Sequence, residues 1–341
     1  MEKTFIIAEA GANHNRDWST AIKLIDAAVE AGCDAVKFQT YTGDTLYAKN
    51  TPNFAGYTNI NKLMNDIALP REWQPKLKDY CDSVGIEFMS TPFDEAAIEE
   101  LVSIGVKRLK IAGFEATDPR FVSNVAATGL PIIMSCGIGF DFSQWGKYVD
   151  IFKLYNNDVT LLHCNNAYPT PMEDVRLDSM LPLGSLREVN QYGFSDHTTS
   201  TLTPALAVAK GATYIEKHFT LDRTMEGPDH PFALEPNELK EMVTLIRIAE
   251  QSLGHKTGYT NSEKKFTKAM RSVVASTDIK KGDVLSSFNI TTKRPMLENS
   301  IPALDYFEIK GHIATEDIKE GDILNKKTVP SYYESKNTIL R

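Results

Sequence analysis

The chain has 341 residues, 42% of them hydrophobic, and a formal net charge of −8. That length exceeds what one core usually organises, so a large domain of about 250 residues and a smaller one are expected. The acidic balance, without any dense lysine–arginine run, excludes nucleic acid as the main partner. With Glu9 cutting the first apolar run and no window near the roughly 20 apolar residues of a membrane helix, neither a signal peptide nor a membrane span is expected.

In chain order, the first apolar run is Phe5–Ala8, followed by Glu9 and Asn13-His14 and then by an amphipathic stretch, Ala21–Ala31. The runs Ala35–Phe38 and Ile86–Met89 come next, the latter leading into the helical pattern Ala96–Ile104. Val106–Ile111, Pro131–Met134, Val159–Leu162, Gln191–Phe194 and Ala212–Ile215 complete the set, with helical patterns at Leu202–Lys210 and Asn237–Leu253. Gly32, Gly85, Gly105, Gly129 and Gly211 each follow a helical stretch, as C-terminal glycine stops do. Eight strand-then-helix units predict a (β/α)8 barrel over residues 1–255, and no GxGxxG turn follows any strand to favour a doubly wound sheet. A polar linker over 256–270 leads to a small β-rich domain, 271–341, whose segments Ala275–Leu285 and Ala314–Leu324 repeat one another around Lys-Gly-Asp and Glu-Gly-Asp turns. Cys33, Cys81, Cys136 and Cys164 are scattered with no Cys-x-x-Cys pair, which points to reduced thiols and a cytoplasmic location.

In such a barrel the functional residues gather at the C-terminal strand ends. All eight ends are polar, and the residue types are mixed rather than the scatter of Lys and Glu that a solvated rim presents. Lys37 and Lys110 are embedded in apolar runs, where bare burial is costly; an anionic ligand or a structural carboxylate would offset that cost. With Ser135, Asn166 and Ser195 they form a set suited to a phosphate and a carboxylate. His197 and His218 end neighbouring strands and so face one pocket, where they could share a divalent metal or be satisfied polar groups. Asp196 and Glu216 beside them read as orienters or acid–base groups, or as structural hydrogen-bond partners. His163 and Cys164 lack a ligand pattern and read as structural. Asp229, in the shaped loop Glu226–Pro231, reads as a sugar contact or a turn cap.

The strings AEAGANHN, VKFQTYT, STPFD, LKIAGFE, LLHCNNAYPTPMEDVRL, GFSDHT, YIEKHFTLD and EGPDH resemble the N-acetylneuraminate (sialic acid) synthase family, which includes legionaminic and pseudaminic acid synthases. The tail SVVASTDIKKGDVLSSFNITTKRP resembles the antifreeze-like (SAF) domain of those enzymes, so the resemblance runs essentially the whole length of the chain. It implies a (β/α)8 barrel with an antifreeze-like domain, in a domain-swapped homodimer. The implied reaction condenses phosphoenolpyruvate with N-acetylmannosamine or a related N-acyl amino sugar, such as a diacetamido-trideoxyhexose, and releases phosphate. The implied metal is Mn2+, or Mg2+ or Co2+ in its place, on His197 and His218. The resemblance assigns phosphoenolpyruvate to Lys37, Lys110, Ser135, Asn166 and Ser195, and the sugar to Gln39, Tyr168 and Asp229. Glu9 matches an active-site carboxylate, with Glu9 or Glu216 left to move protons, and Arg294 matches an arginine reaching the sugar's N-acyl group from the partner. One departure stands out: where sialic acid synthases read Lys-Ile-Gly-Ser-Gly-Glu or Lys-Ile-Pro-Ser-Gly-Glu, this chain reads Lys110-Ile-Ala-Gly113-Phe114-Glu115, closer to the Ala-Ser-Phe-Glu of the pseudaminic branch, whereas its Gly227-Pro-Asp-His230 loop is more like the sialic and legionaminic branches. The alternatives are a Kdo-8-phosphate-type synthase, which would lack the small C-terminal domain, and a non-catalytic sugar-binding protein.

Overall fold

The computed structural model describes residues 3–53, 58–140 and 142–339 and divides into two units, Met1–Leu253 and Gly254–Arg341. The first unit contains eight parallel strands: β1 Phe5–Gly11, β2 Ala35–Thr40, β3 Glu87–Pro92, β4 Leu109–Ile111, β5 Ile132–Cys136, β6 Val159–Cys164, β7 Gln191–Asp196 and β8 Tyr214–His218. Their hydrogen-bonded order is β3-β2-β1-β8-β7-β6-β5-β4, and the two end strands, β3 and β4, lie side by side. The sheet therefore closes on itself as the expected (β/α)8 barrel. Each expected run is a strand, and most reach further toward the C-terminal end than the apolar run alone; β7 takes in Ser195 and Asp196, and β8 takes in Glu216, Lys217 and His218.

Local chemistry sets the helix ends. Asp17 caps the helix Trp18–Ala31 by accepting the Thr20 N–H at 2.7 Å, and Gly32 closes it at φ 84°, a left-handed conformation that a side chain would strain. Asp94 caps Glu95–Ser103 in the same way, through the Ala97 N–H at 2.7 Å. One connection departs from the eight-helix expectation: between β6 and β7 the chain forms a 3-10 run, Leu177–Ser185. Pro182 and Gly184 lie inside it, and neither sustains an α-helical ladder.

Strand alternation sorts the interior into layers. At the N-terminal end, Arg108 bridges both oxygens of Glu87 at 2.7 and 3.2 Å, donates to the Tyr214 hydroxyl at 2.9 Å and stacks over Phe5. Above this plug lies an apolar layer of Ile7, Ala35, Met89, Ile133 and Leu162. The larger core, between sheet and helices, includes Ile6, Val36, Phe38, Leu161, Val208 and Ile215. The residues two positions beyond the apolar layer, Glu9, Lys37, Thr91, Ser135 and Cys164, open at the C-terminal mouth.

The second unit has two four-residue antiparallel strands, β9 Ser272–Ala275 and β10 Ile290–Lys293, and otherwise isolated bridges. Its repeat is structural. Ile279 and Ile318 exchange both backbone hydrogen bonds at 2.8 Å, and Lys280 pairs with Asp317 at 3.0 Å as Lys319 pairs with Asp278 at 3.1 Å. Each turn is thus braced by the other copy as well as by its own aspartate, Asp283 or Asp322. No helix among the described residues is long and apolar enough to cross a membrane.

Candidate active site

The mouth of the barrel opens on a pocket lined by Glu9, Lys37, Gln39, Lys110, Ser135, Asn166, Tyr168, Ser195, His197, Glu216 and His218 among others. These are the residues singled out from the sequence, except for Asp196, Asp229 and Arg294. Asp229 stands just beyond, its Oδ2 3.7 Å from His218 Nδ1. Arg294 is exposed in the second unit, after β10.

Two buried lysines and two buried carboxylates form the floor. Lys37 Nζ lies 2.8 Å from Glu9 Oε2 and 3.7 Å from Glu216 Oε2, and donates to Thr91 Oγ1 at 2.9 Å. Lys110 Nζ donates to Ser135 Oγ at 2.8 Å and to the Ile111 carbonyl at 3.0 Å, with Glu216 Oε1 at 3.7 Å. Glu216 also accepts from Ser195 Oγ at 3.2 Å, and Glu9 from Gln39 Nε2 at 2.7 Å. Burial opposes every one of these charges, and their neighbours decide the outcome. Burial pushes Glu9 up to about 7, with Lys37 opposing it and Glu216 adding to it. Burial would raise Glu216 too, but Lys110 and Lys37 flank it and hold it below the ordinary glutamate value. For Lys37 the facing carboxylates outweigh burial and raise it. For Lys110 burial wins, and the charge of Lys37 adds to the lowering. The cluster thus contains a firmly ionised glutamate, a glutamate poised near neutrality, and a lysine whose cationic form an arriving anion would favour.

Two imidazoles sit above the floor with ring centroids 5.3 Å apart. His197 Nδ1 is 2.6 Å from the Asn165 carbonyl, which only accepts, so Nδ1 carries the proton and Nε2 keeps its lone pair. Burial lowers His197 to about 4 and His218 well below the usual histidine value, so both are neutral. His218 Nδ1 is buried with no hydrogen-bond partner, as is Glu216 Oε2. Tyr168 packs against the rings of His197, His218 and Phe232. No group of three or more His, Cys, Asp or Glu side chains among the described residues is arranged to hold a metal. The donor set that fits a cation is therefore the pair of neutral histidines, one of them orphaned, leaving other positions to water and substrate oxygens.

Asn166 fills a recess between β4 and β6. Its Oδ1 accepts the Ile138 N–H at 2.7 Å, and a Cβ on Gly137 or Gly113 would come within 1.8 or 2.9 Å of that oxygen. Gly113 therefore stands where Asn166 leaves little room for the serine of sialic acid synthases, and Phe114 beside it is exposed. Asp196 does not join the site. It faces away from the mouth, bonds Lys217 Nζ at 2.7 Å and caps the Thr198 N–H at 2.8 Å, which is the structural alternative considered for it. His163 is structural too, its Nε2 2.7 Å from the Val175 carbonyl, whereas Cys164 lines the pocket. Thr91 and the Asn165 carbonyl are additions that side-chain reasoning missed: a strand threonine is commonplace, and a backbone carbonyl leaves no mark in the sequence.

A (β/α)8 barrel whose mouth gathers buried lysines, carboxylates and neutral histidines defines an enzyme that acts on an anionic substrate. Residues 24–258 match the NeuB family and residues 270–329 match the SAF domain, and the chain belongs to the NeuB family. It is similar to the N,N'-diacetyllegionaminic acid synthase of Legionella pneumophila, with 40% identity over 85% of each chain. It is 38% identical to a pseudaminic acid synthase of Campylobacter jejuni over 86% of this chain and 88% of that one. Among solved structures, the N-acetylneuraminic acid synthetase of Leptospira borgpetersenii superposes with a TM-score of 0.72 at 34% identity, covering 79% of this chain and 91% of that chain.

Proposed function

We propose that the protein is a nonulosonic acid synthase that condenses phosphoenolpyruvate with an N-acyl amino sugar and releases inorganic phosphate. The observation that carries this reading is the buried Lys37–Lys110 pair beneath two neutral, closely spaced imidazoles in one pocket. A non-catalytic sugar-binding protein has no use for such a set, because a neutral sugar needs neither buried cations nor free imidazole donors.

Lys37 and Lys110 neutralise the phosphate and carboxylate of phosphoenolpyruvate, with Ser135, Asn166 and Ser195 donating around them. Gln39, Tyr168 and Asp229 hold the open-chain sugar with its aldehyde carbon facing C3 of phosphoenolpyruvate. A C3–C1 bond forms, water adds at C2, and the C2–O bond to phosphate breaks. Holding both substrates together removes much of the entropic barrier. Ionised Glu216 keeps both lysines in place, and Glu9, near 7, is the group suited to exchange protons with the attacking water at neutral pH. His197 and His218 would hold a divalent cation, Mn2+ before Mg2+ or Co2+, which would supply Lewis acidity toward the sugar's aldehyde. In the same reading the protein is a cytoplasmic, domain-swapped homodimer in which Arg294 meets the sugar in the partner's barrel. Four free cysteines support the reducing compartment. Loss of dimer mass on removing the second unit would support the swap, and a fully active truncated dimer would refute it.

The test is phosphate release from phosphoenolpyruvate with Mn2+ over a panel of N-acetylmannosamine, diacetamido-trideoxyhexoses and arabinose 5-phosphate, each with a chelator control. Chelator-sensitive release with one N-acyl sugar is expected. Release with arabinose 5-phosphate alone would refute the proposal.

A further inference from the structure

The loop after β8 places Asp229 beside the pocket, where its carboxylate accepts a hydrogen bond from the Ala12 backbone, and a second fastening lies at the next residue. His230 is fully buried. Its Nδ1 is 2.6 Å from Thr220 Oγ1, two residues past the end of β8, and its Nε2 is 3.2 Å from Asn15 Oδ1 in the loop after β1. The direction of each bond follows from one backbone group. The Glu226 carbonyl only accepts, so the Asn15 Nδ2 that lies 3.0 Å from it must donate. Asn15 therefore turns its oxygen to the ring, His230 Nε2 carries the proton, and in the neutral ring Thr220 donates to Nδ1 at 2.6 Å, the Asp222 carbonyl at 3.2 Å being its longer alternative acceptor. Burial lowers the ring's pKa, in keeping with that neutral tautomer.

The surrounding backbone is shaped to the ring. Asn15 and Arg16 both adopt left-handed conformations, at φ 49° and 53°, which carries the Asn15 amide across to the β8 loop. Gly227 has φ 152°, and a Cβ there would come 2.7 Å from His230 Cδ2. On the pocket side, Asp229 Oδ2 occupies the space beside Gly11, where a Cβ would approach it to 2.7 Å. Asp229 is thus held between a glycine of β1 and an imidazole clamped to both β1 and β8 loops.

We propose that His230 is a positioning residue: through Asn15 and Thr220 it fixes the placement of Asp229 and so sets the affinity for the amino sugar, without touching either substrate. This rests on the reading of Asp229 as a sugar contact, and the experiment separates the two. Steady-state kinetics with both substrates varied would compare Asp229→Ala, His230→Ala, the double variant and His230→Gln, whose amide restores a donor toward Asn15. His230→Ala is expected to raise KM for the sugar about tenfold, with KM for phosphoenolpyruvate unchanged, because a misplaced contact group costs affinity only for what it contacts. In the Asp229→Ala background His230→Ala should add nothing, and His230→Gln should recover most of the loss. Asn15→Ala, which keeps the ring, should shift the sugar KM in the same direction and stands in if His230→Ala fails to fold. An unaltered sugar KM in Asp229→Ala would sink the Asp229 assignment and this inference with it. A raised KM there, together with additive effects, equal losses for both substrates or an indifferent Asn15→Ala, would overturn the inference alone.

Discussion

Asp196 and Lys217 are cross-strand partners at the ends of β7 and β8, and their side chains meet at 2.7 Å on the side of the strands away from the pocket. Their chain neighbours His197 and His218 point the other way and line the mouth. The two strands are thus pinned together by an ion pair immediately behind the two imidazoles. Both partners are almost fully buried, and Lys217 also donates to Thr198 Oγ1 at 3.3 Å.

Removing one partner of this pair should be costly. Lys217→Met strands the Asp196 carboxylate, and a loss of about 3–5 kcal/mol in the stability of the barrel is expected. Urea denaturation of the single and paired variants checks it. Lys217→Met combined with Asp196→Asn should lose less than the sum of the singles; additive losses would show that the two side chains act separately.

The histidines make a separate prediction. His197→Ala and His218→Ala should each weaken Mn2+ binding in a direct titration and remove metal-stimulated phosphate release, with the fold retained by circular dichroism. Unchanged metal affinity in both variants would eliminate the imidazole pair as the metal site.

Glu9 gives the pH dependence. Its carboxyl is raised to about 7, so it is protonated below that pH and ionised above it. With an ionised Glu9 required to accept a proton, kcat/KM should fall about tenfold per pH unit below its pKa and level off above it. Gln39→Leu removes a hydrogen bond that favours the carboxylate, so the acid limb should move to higher pH. A limb that stays in place in Gln39→Leu and survives in Glu9→Gln would assign it to another group.

The recess around Asn166 predicts a ranking. A Cβ on Gly137 would overlap Asn166 Oδ1 far more severely than one on Gly113. Gly137→Ala should cost on the order of a hundredfold in kcat/KM for phosphoenolpyruvate and Gly113→Ser about tenfold, since an ångström of misplacement is enough for such losses. The reverse order would show that Asn166 is not the group being displaced.

Much of this site is written in strand parity. Lys37 and Lys110 announce themselves because a lysine inside an apolar run must point somewhere polar. Ser195 with His197, and Glu216 with His218, lie two residues apart and so share a face. The same parity would have excluded Asp196, one step out of phase with His197, and proximity in sequence is a poor guide where a single step reverses the side chain. Other features are not legible. The fit of Gly113 and Gly137 around Asn166 depends on three separate strand ends. The tautomer of His197 depends on a backbone oxygen contributed by the preceding β6 loop. The lack of an α-helix between β6 and β7 was foreshadowed by Pro182 and Gly184, whereas counting eight repeated units concealed it.

The C-terminal unit has an arithmetic of its own. Asp278 serves the turn that carries Lys319, and Asp317 serves the turn that carries Lys280, while Asp283 and Asp322 accept the Lys280 and Lys319 N–H within their own copies, so each corner is held from both sides. A polypeptide bearing one copy would keep the bond inside its turn and lose the cross-copy pair, which is the part that ties the two halves of the unit together.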